Sequence, residues 1–499
     1  MRVLSNLFIL IFVFSVSTFG QLVETVDVEI GLDSELEDDF SVVSLDTNGV
    51  LVLNSQLSFF GKKGKLQFTK YDKDLKSEWF NIIDPGLEFK LVKYFKSENY
   101  LFCLLRESDS QKIKIVKIDL DRGDAITTET KMLTDMDVEF FAAIETKVII
   151  MGSYNDRPVA ELHRLFDQTS KVLPQIHSNY VKVLSLEVNE QEKEIYLMLK
   201  DEKRCQFKFT AFDIEGKMLY MKDVGDKKHV ILNSKILKVG GSTLFLAGNF
   251  AETCSDFSSG FYVTPLNRLE DIQFFKFSEL QNFYTYLSPK RQEKVMGRLQ
   301  TKKLKGRDPK IRHRLNLQQP YVFDNQVLLV GEVYYPEYKS SMNYSRNSLI
   351  HLGENFRTIR DFNNYKFTQS LFCTFDFDGK KSWDYSVDLK NIESEVLNNK
   401  VQVSNTKEGI LVAFPKEESI FLKLISKDKP PVDFLPLTIG SKNNDFVSGV
   451  SVDLFSWYSH TFLAFGYKTT RSTNSLISKE YFYLSKLKYE TPDLNKKAF

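Results

Sequence analysis

The side chains best suited to chemistry cluster at Gly331-Glu332-Val333-Tyr334-Tyr335-Pro336-Glu337-Tyr338. Aromatic rings stack on sugar faces, and carboxylates accept bonds from sugar hydroxyls. Glu332, Tyr334, Tyr335, Glu337 and Tyr338 therefore form one candidate ligand-binding group. Two carboxylates in one stretch also suggest an alternative, a glycan-active enzyme using Glu332 and Glu337 as acid and base. The plainer reading is an amphipathic strand end, with Tyr shielding the core and Glu solvated. A second group lies in the stretch 281–317. Between Pro289 and Arg314 there are eleven Lys or Arg and two acids, Glu293 and Asp308. Lys290, Arg291, Lys294, Arg298, Lys302 and Lys303 are the candidate cations for an acidic polysaccharide, lipid headgroups or nucleic acid. Aromatics are not interleaved with them, which gives single-strand stacking little support. The competing readings are a solvated basic plug, or an internal partner for 24–39, which holds eight acids and no Lys or Arg.

Other chemistry is not spelled out. The six His (His163, His177, His229, His313, His351, His460) form no i, i+4 pair or cluster of the kind metal sites use. No G-x-S-x-G elbow, P-loop or G-x-G-x-x-G stretch occurs, so no hydrolase triad or nucleotide site can be assembled. Apart from that alternative Glu332/Glu337 pair, the sequence offers no catalytic residue, metal site or cofactor. The four Cys are too widely spaced for paired zinc ligands. Cys103 and Cys373 sit in apolar runs and read as buried thiols. Cys205 and Cys254 sit in polar, turn-like surroundings. They form a possible disulfide, with partly exposed thiols as the alternative.

The elements that must position these groups begin with a targeting segment. Arg2, the apolar run 7–14 and the small, polar residues 15–20 have the three-part pattern of a secretory signal peptide. Cleavage near Gly20 would leave a mature chain 21–499. The apolar run is below the roughly 20 residues that span a bilayer. The expected location is exported, periplasmic or secreted, with no transmembrane span. The chain of 499 residues balances 67 Lys and Arg against 66 Asp and Glu, which argues against a nucleic-acid partner for the whole surface.

Within the mature chain one phrase recurs: an alternating strand, an Asp, a short turn and a second strand. It appears around Asp72, Asp119, Asp167 and Asp213, at intervals of 47, 48 and 46, and again at Asp376. Asp tolerates the turn backbone and bonds it, so each phrase predicts a β-hairpin. Two further short strands precede each copy. A repeat of about 45 residues with four strands, a to d, is the pattern of a propeller blade. Eight units are expected, at 40–84, 89–133, 137–179, 181–226, 229–280, 318–391, 400–440 and 445–490. Seven remain possible if one of the last three is misread, and a two-domain all-β protein is the rival. The last unit shows only three clear strands, and the orphan segment 22–30 could supply the fourth and close the ring. The fold class is all-β, a β-propeller of eight or seven four-stranded blades closed by the N-terminal strand. It carries a basic, partly helical insertion, 281–317, whose helix should restart after Pro289.

In such a ring the b–c and d–a connections share one face. The long stretches 251–258, 280–320, 338–368 and 468–479 all fall there. Long loops on a rigid scaffold carry function, although lengthening one also costs little. Asn343-Tyr344-Ser345 matches a glycosylation sequon.

The hairpin phrase, clearest as FDFDGKKSW at 375–383, resembles the blade hairpins of β-propeller families. WD40, kelch and quinoprotein signatures are missing. The chain is most similar to uncharacterised exported propeller-like proteins of the Bacteroidetes type, a resemblance that implies location and shape. The expected function is an exported binding or scaffold protein of the cell envelope, recognising a protein or glycan through its loop-rich face.

Overall fold

The structure, a computed structural model, describes residues 21–32, 37–57, 64–86, 88–226, 228–239, 243–341, 359–439, 446–471 and 478–490. The segment 1–20, expected to be a signal peptide, and the sequon match at Asn343 lie outside the described residues.

The chain forms eight antiparallel sheets arranged as a β-propeller. Blade 1 has strands a (Glu37–Ser44), b (Val50–Leu57), c (Lys65–Tyr71) and d (Ser77–Ile83), paired in that order. Blades 2 to 5 repeat the pattern over 89–131, 137–172, 181–224 and 230–276. Blade 6 spans 314–394, and its inner strand comes in two pieces, Arg314–Leu317 and Tyr321–Phe323. Blade 7 follows at 402–438. Blade 8 takes strands a to c from 446–490 and strand d from the other end of the chain, Gln21–Gly31.

The reason lies in how strand b is buried. Strand b of blade 2 (Tyr100–Glu107) is a continuous apolar run. Alternate side chains point to opposite faces. Leu101, Cys103 and Leu105 pack against blade 1, while Phe102 and Leu104 pack against blade 3. A strand buried on both faces reads as unbroken hydrophobicity. The same arrangement gives one apolar cluster at each seam between successive blades, eight in all among the described residues. The eighth joins Val50 and Val52 of blade 1 to Leu463, Phe482 and Leu484 of blade 8, which closes the ring.

The turn Asp residues act as their type dictates. One carboxylate oxygen accepts from backbone N–H groups ahead: Asp72 from Asp74 and Lys76, both at 2.8 Å, and Asp376 from Asp378 at 3.1 Å and Lys380 at 2.8 Å. Asp119, Asp167 and Asp213 do the same.

The N-terminal strand pairs with Ser478–Glu490 from Gln21↔Glu490 to Gly31↔Tyr481. A bulge between Glu24 and Val26 switches its faces. Leu22 joins the seam between blades 7 and 8, and Val26, Val28 and Ile30 join the seam between blades 8 and 1. Lys468 bridges Asp27 at 3.4 Å and Glu29 at 2.7 Å. Glu24 and Asp27 both accept from the Ser485 hydroxyl. These three acids of 24–39 therefore serve blade 8 rather than the basic insertion.

Two further expectations are corrected. Arg314–Leu317, counted within the insertion, is already blade 6. The described ends of the expected loops 338–368 and 468–479 are ladder rather than loop. Gln326–Ser341 pairs with Ile359–Asp376 as far as Ser341↔Ile359, and Thr461–Arg471 pairs with Ser478–Glu490 as far as Arg471↔Ser478. Aromatic cross-strand packing extends the first arm: Tyr334 meets Tyr365 at 5.5 Å, and Tyr338 meets Phe362 at 6.1 Å.

Removing residues 21–31 should expose the edge of Ser478–Glu490 and leave two seams incomplete. The shortened chain should show strongly faster hydrogen exchange in blade 8 and concentration-dependent association. Native-like protection and a monodisperse profile would contradict this closure.

Candidate functional site

Most of the unusual features gather where the b–c and d–a connections of blades 5 and 6 meet. The insertion leaves blade 5, crosses strand d of blade 6 (Lys381–Ser394) and returns to become that blade's inner strand. It is pinned throughout. Phe277, Leu280 and Phe283 are buried in the seam between blades 5 and 6. Asp384, 3% exposed, accepts from the backbone N–H of Gln281 at 3.1 Å and Asn282 at 2.6 Å. Lys276 holds Glu252 and Asp308, each at 2.7 Å, and these acids raise its own pKa. A two-way backbone bridge joins His313 to Ser258.

Between these anchors lies helix α1 (Pro289–Leu304), with Pro at its first position as proline geometry favours. Gly306, with φ of +65°, follows its end. Gln292, Val295, Met296 and Leu299 are half-buried, and no residue of the helix is fully buried. The candidate cations Lys290, Arg291, Lys294, Arg298 and Lys302 are exposed, and Lys303 donates to the Ser278 carbonyl at 3.2 Å. Arg291, Lys294, Arg298 and Lys302 are spaced 3, 4 and 4 residues apart, which places them on one flank. The first turn carries no acid, yet it holds Lys290 and Arg291. Cations there oppose the helix dipole, at a cost of about 0.3–1 kcal/mol each. Lys302 and Lys303 in the last turn favour the dipole instead, so only the N-terminal cations work against the isolated helix.

The candidate group at 331–338 is split by the structure. Glu332 has no exposed surface. Its Oε1 accepts from Gln318 Nε2 at 2.7 Å, Lys400 N at 2.9 Å and Val401 N at 2.7 Å, so it ties blade 6 to the start of blade 7. Burial pushes its carboxyl up to about 7, against the pull of these donors. Glu337 lies at the surface, held by Lys366 at 2.9 Å, which keeps its pKa low. Five residues apart on one strand, the two Cα atoms stand roughly 16 Å apart. A glycosidase pair sits at about 5–9.5 Å. With Glu332 fully buried and Glu337 at the surface, the expected acid/base pairing is corrected. Tyr335 and Tyr338 are 48% and 51% exposed, and Tyr334 is half-buried.

Tyr334 and Tyr335 line a cleft of about 410 Å³ that sequence reasoning did not reveal. Its other walls are Phe257, Tyr286, Leu287, His313, Val333, Pro336 and Thr368, with Arg312, Arg314 and Lys390 as its cations. Burial drives the His313 pKa down. The parts come from six separate segments, so no local spacing signals them.

On this same face Cys205 and Cys254 are joined, with Cα atoms 5.8 Å apart, linking the b–c connections of blades 4 and 5. Cys103 and Cys373 are buried free thiols, and burial raises both pKa values.

The fold also assembles a Ser–His–acid chain that the sequence did not disclose. Ser170 Oγ lies 2.7 Å from His163 Nδ1, and His163 Nε2 lies 3.0 Å from Glu161 Oε2. Glu161 is fully buried, and it accepts from Leu133 N at 2.9 Å and Thr134 N at 2.7 Å. It repeats the Glu332 device, a buried carboxylate gripping two successive N–H groups where one blade passes to the next. His163 is 1% exposed, so a structural role fits. Among the described residues no group of three or more His, Cys, Asp or Glu could hold a metal ion.

No known family and no curated protein matches the sequence. Among solved structures, the chain is similar to the β-propeller domain of the Trilobed protease from Pyrococcus furiosus. The identity is 11% and the TM-score 0.32, covering 82% of this chain and 98% of that one. It is similar to an uncharacterized protein from Listeria monocytogenes, at 11% identity and a TM-score of 0.35, covering 83% and 97%. It is also similar to prolyl oligopeptidase B from Galerina marginata, at 8% identity and a TM-score of 0.40, covering 88% and 56%. The chain thus spans little more than half the length of that peptidase.

The burial of Glu332 predicts a pH dependence. Its folded pKa of about 7 lies above the unfolded value of about 4.3. The neutral acid is therefore favoured by the fold, and its contribution is present below about pH 4 and lost as pH rises through about 7. Glu332→Gln keeps an oxygen for three donors and cannot ionise. Denaturant midpoints should fall less between about pH 5 and pH 8 in this variant than in the native chain. Parallel pH profiles would refute the assignment. Glu332→Ala, which strands those donors, should cost roughly 3 kcal/mol or more.

Proposed function

We propose that this chain is an exported, envelope-associated binding module that holds an acidic glycan on the loop-rich face of its propeller. The observation that carries the reading is the flank of exposed cations on α1, clamped at both ends by blades 5 and 6. A polyanion would supply the counter-charge that the helix lacks, and each neutralised site would release bound ions. Export is supported by the signal-peptide pattern of 1–20 and by the Cys205–Cys254 link, a bond favoured by oxidising compartments. The resemblance to exported Bacteroidetes-type propellers agrees with it. Among the described residues no helix is long and apolar enough to cross a membrane. The enzyme alternative loses its acid/base pair with the burial of Glu332.

Chain 21–499 should bind immobilised polygalacturonate at low salt and elute as salt rises. A variant with Arg291→Ala, Lys294→Ala, Arg298→Ala and Lys302→Ala should elute markedly earlier while keeping the native melting profile. Identical elution of the two proteins would reject α1 as the binding element.

A further inference from the structure

The cleft beside α1 has a chemistry of its own. Arg314 opens the inner strand of blade 6, paired with Tyr334. Its guanidinium stands over the Phe257 ring at 5.3 Å. The side chain is half-buried, and its Nε is sealed from solvent with no hydrogen-bond partner among the described residues. Arg312, two residues earlier, is also half-buried and makes no ion pair among the described residues. Lys390, by contrast, is answered by Asp388 at 3.5 Å. No acid lines the cleft. A cation partly drawn out of water costs free energy unless a counter-charge meets the part of its guanidinium that still faces the cleft. Other walls of the cleft are apolar and aromatic, including Leu287, Val333 and Pro336. The volume of about 410 Å³ falls in the range of small-molecule sites.

We infer that this cleft is a binding site for a carboxylate joined to an apolar or aromatic body. The planar Arg314 fork matches a carboxylate, with Arg312 adding charge beside it. The greasy walls disfavour a strongly hydrated dianion such as phosphate and favour a ring or branched side chain next to the charge. This chemistry comes from two sources, a free organic acid or the C-terminal residue of a peptide. The site is separate from the cationic flank of α1 and goes beyond the glycan reading.

The test is calorimetric titration of chain 21–499 with N-acetyl-phenylalanine, its uncharged amide, and the peptide Gly-Gly-Phe with a free C-terminus. The acid should bind about tenfold or more tightly than the amide, the expected weight of a charge-assisted bond. Arg314→Ala should remove that preference, and Arg314→Lys should restore it in part. The four-residue α1 variant should bind the acid as the native chain does, which keeps failure here distinct from failure of the glycan reading. Tighter binding of the peptide than of the free acid would identify a chain terminus as the source, and the reverse would identify a small acid. Equal affinity for acid and amide, or no binding of either on the native chain, would overturn the inference.

Discussion

Everything in this molecule depends on closing a ring whose two ends lie at opposite ends of the chain. Each blade buries both faces of its middle strands, so no blade is complete without two neighbours. Seven seams are made by blades that follow one another in sequence. The eighth requires Gln21–Gly31 to travel to the last blade and pair with Ser478–Glu490. Trp457 reinforces the join by donating its ring N–H to the Gly49 carbonyl of blade 1 at 2.9 Å. Gly49 itself has φ of +102°, and a Cβ there would lie 2.0 Å from the Tyr71 carbonyl, so only glycine fits the turn. A closed ring has no free sheet edges at its seams, and it holds its connections at fixed positions.

Seam apolarity is non-directional, and register between blades needs something sharper. Buried carboxylates supply it. Glu161, Glu332 and Asp384 each grip two successive backbone N–H groups of a blade-to-blade connection. Such groups carry a high desolvation cost and are tolerated because their donors are fixed. This explains why the acid that looked most chemical, Glu332, has no contact with solvent. It also separates two roles on one face: acids hold the scaffold, and cations are left outward.

The blades were legible because a hairpin turn constrains its residues locally. Asp72, Asp119, Asp167 and Asp213 each had to bond their own turn, which stamped a period of about 47 on that part of the sequence, and Asp376 repeats the turn later. The orphan strand was legible because Val26-Asp27-Val28-Glu29-Ile30 alternates cleanly. The helix after Pro289 followed from proline geometry. The environment of Glu332 was not legible, because a strand buried on both faces gives no alternation to say which side a Glu meets. A hint existed: Glu332 follows Val327-Leu328-Leu329-Val330-Gly331, a run with no solvent side. The cleft was invisible because Phe257, Tyr286, Arg314 and Lys390 are brought together by the ring alone. Ser170 and His163, by contrast, meet within a single hairpin, seven residues apart and directly paired across its two strands.

The measurement that bears most directly on the account is hydrogen–deuterium exchange of chain 21–499 with and without a soluble acidic polysaccharide. A rigid ring presenting one working face predicts new protection confined to α1 and its flanking connections on blades 5 and 6. The Asp turns on the opposite face and the seam strands should exchange as before. Protection on the Asp-turn face, or none anywhere at saturating polymer, would contradict it.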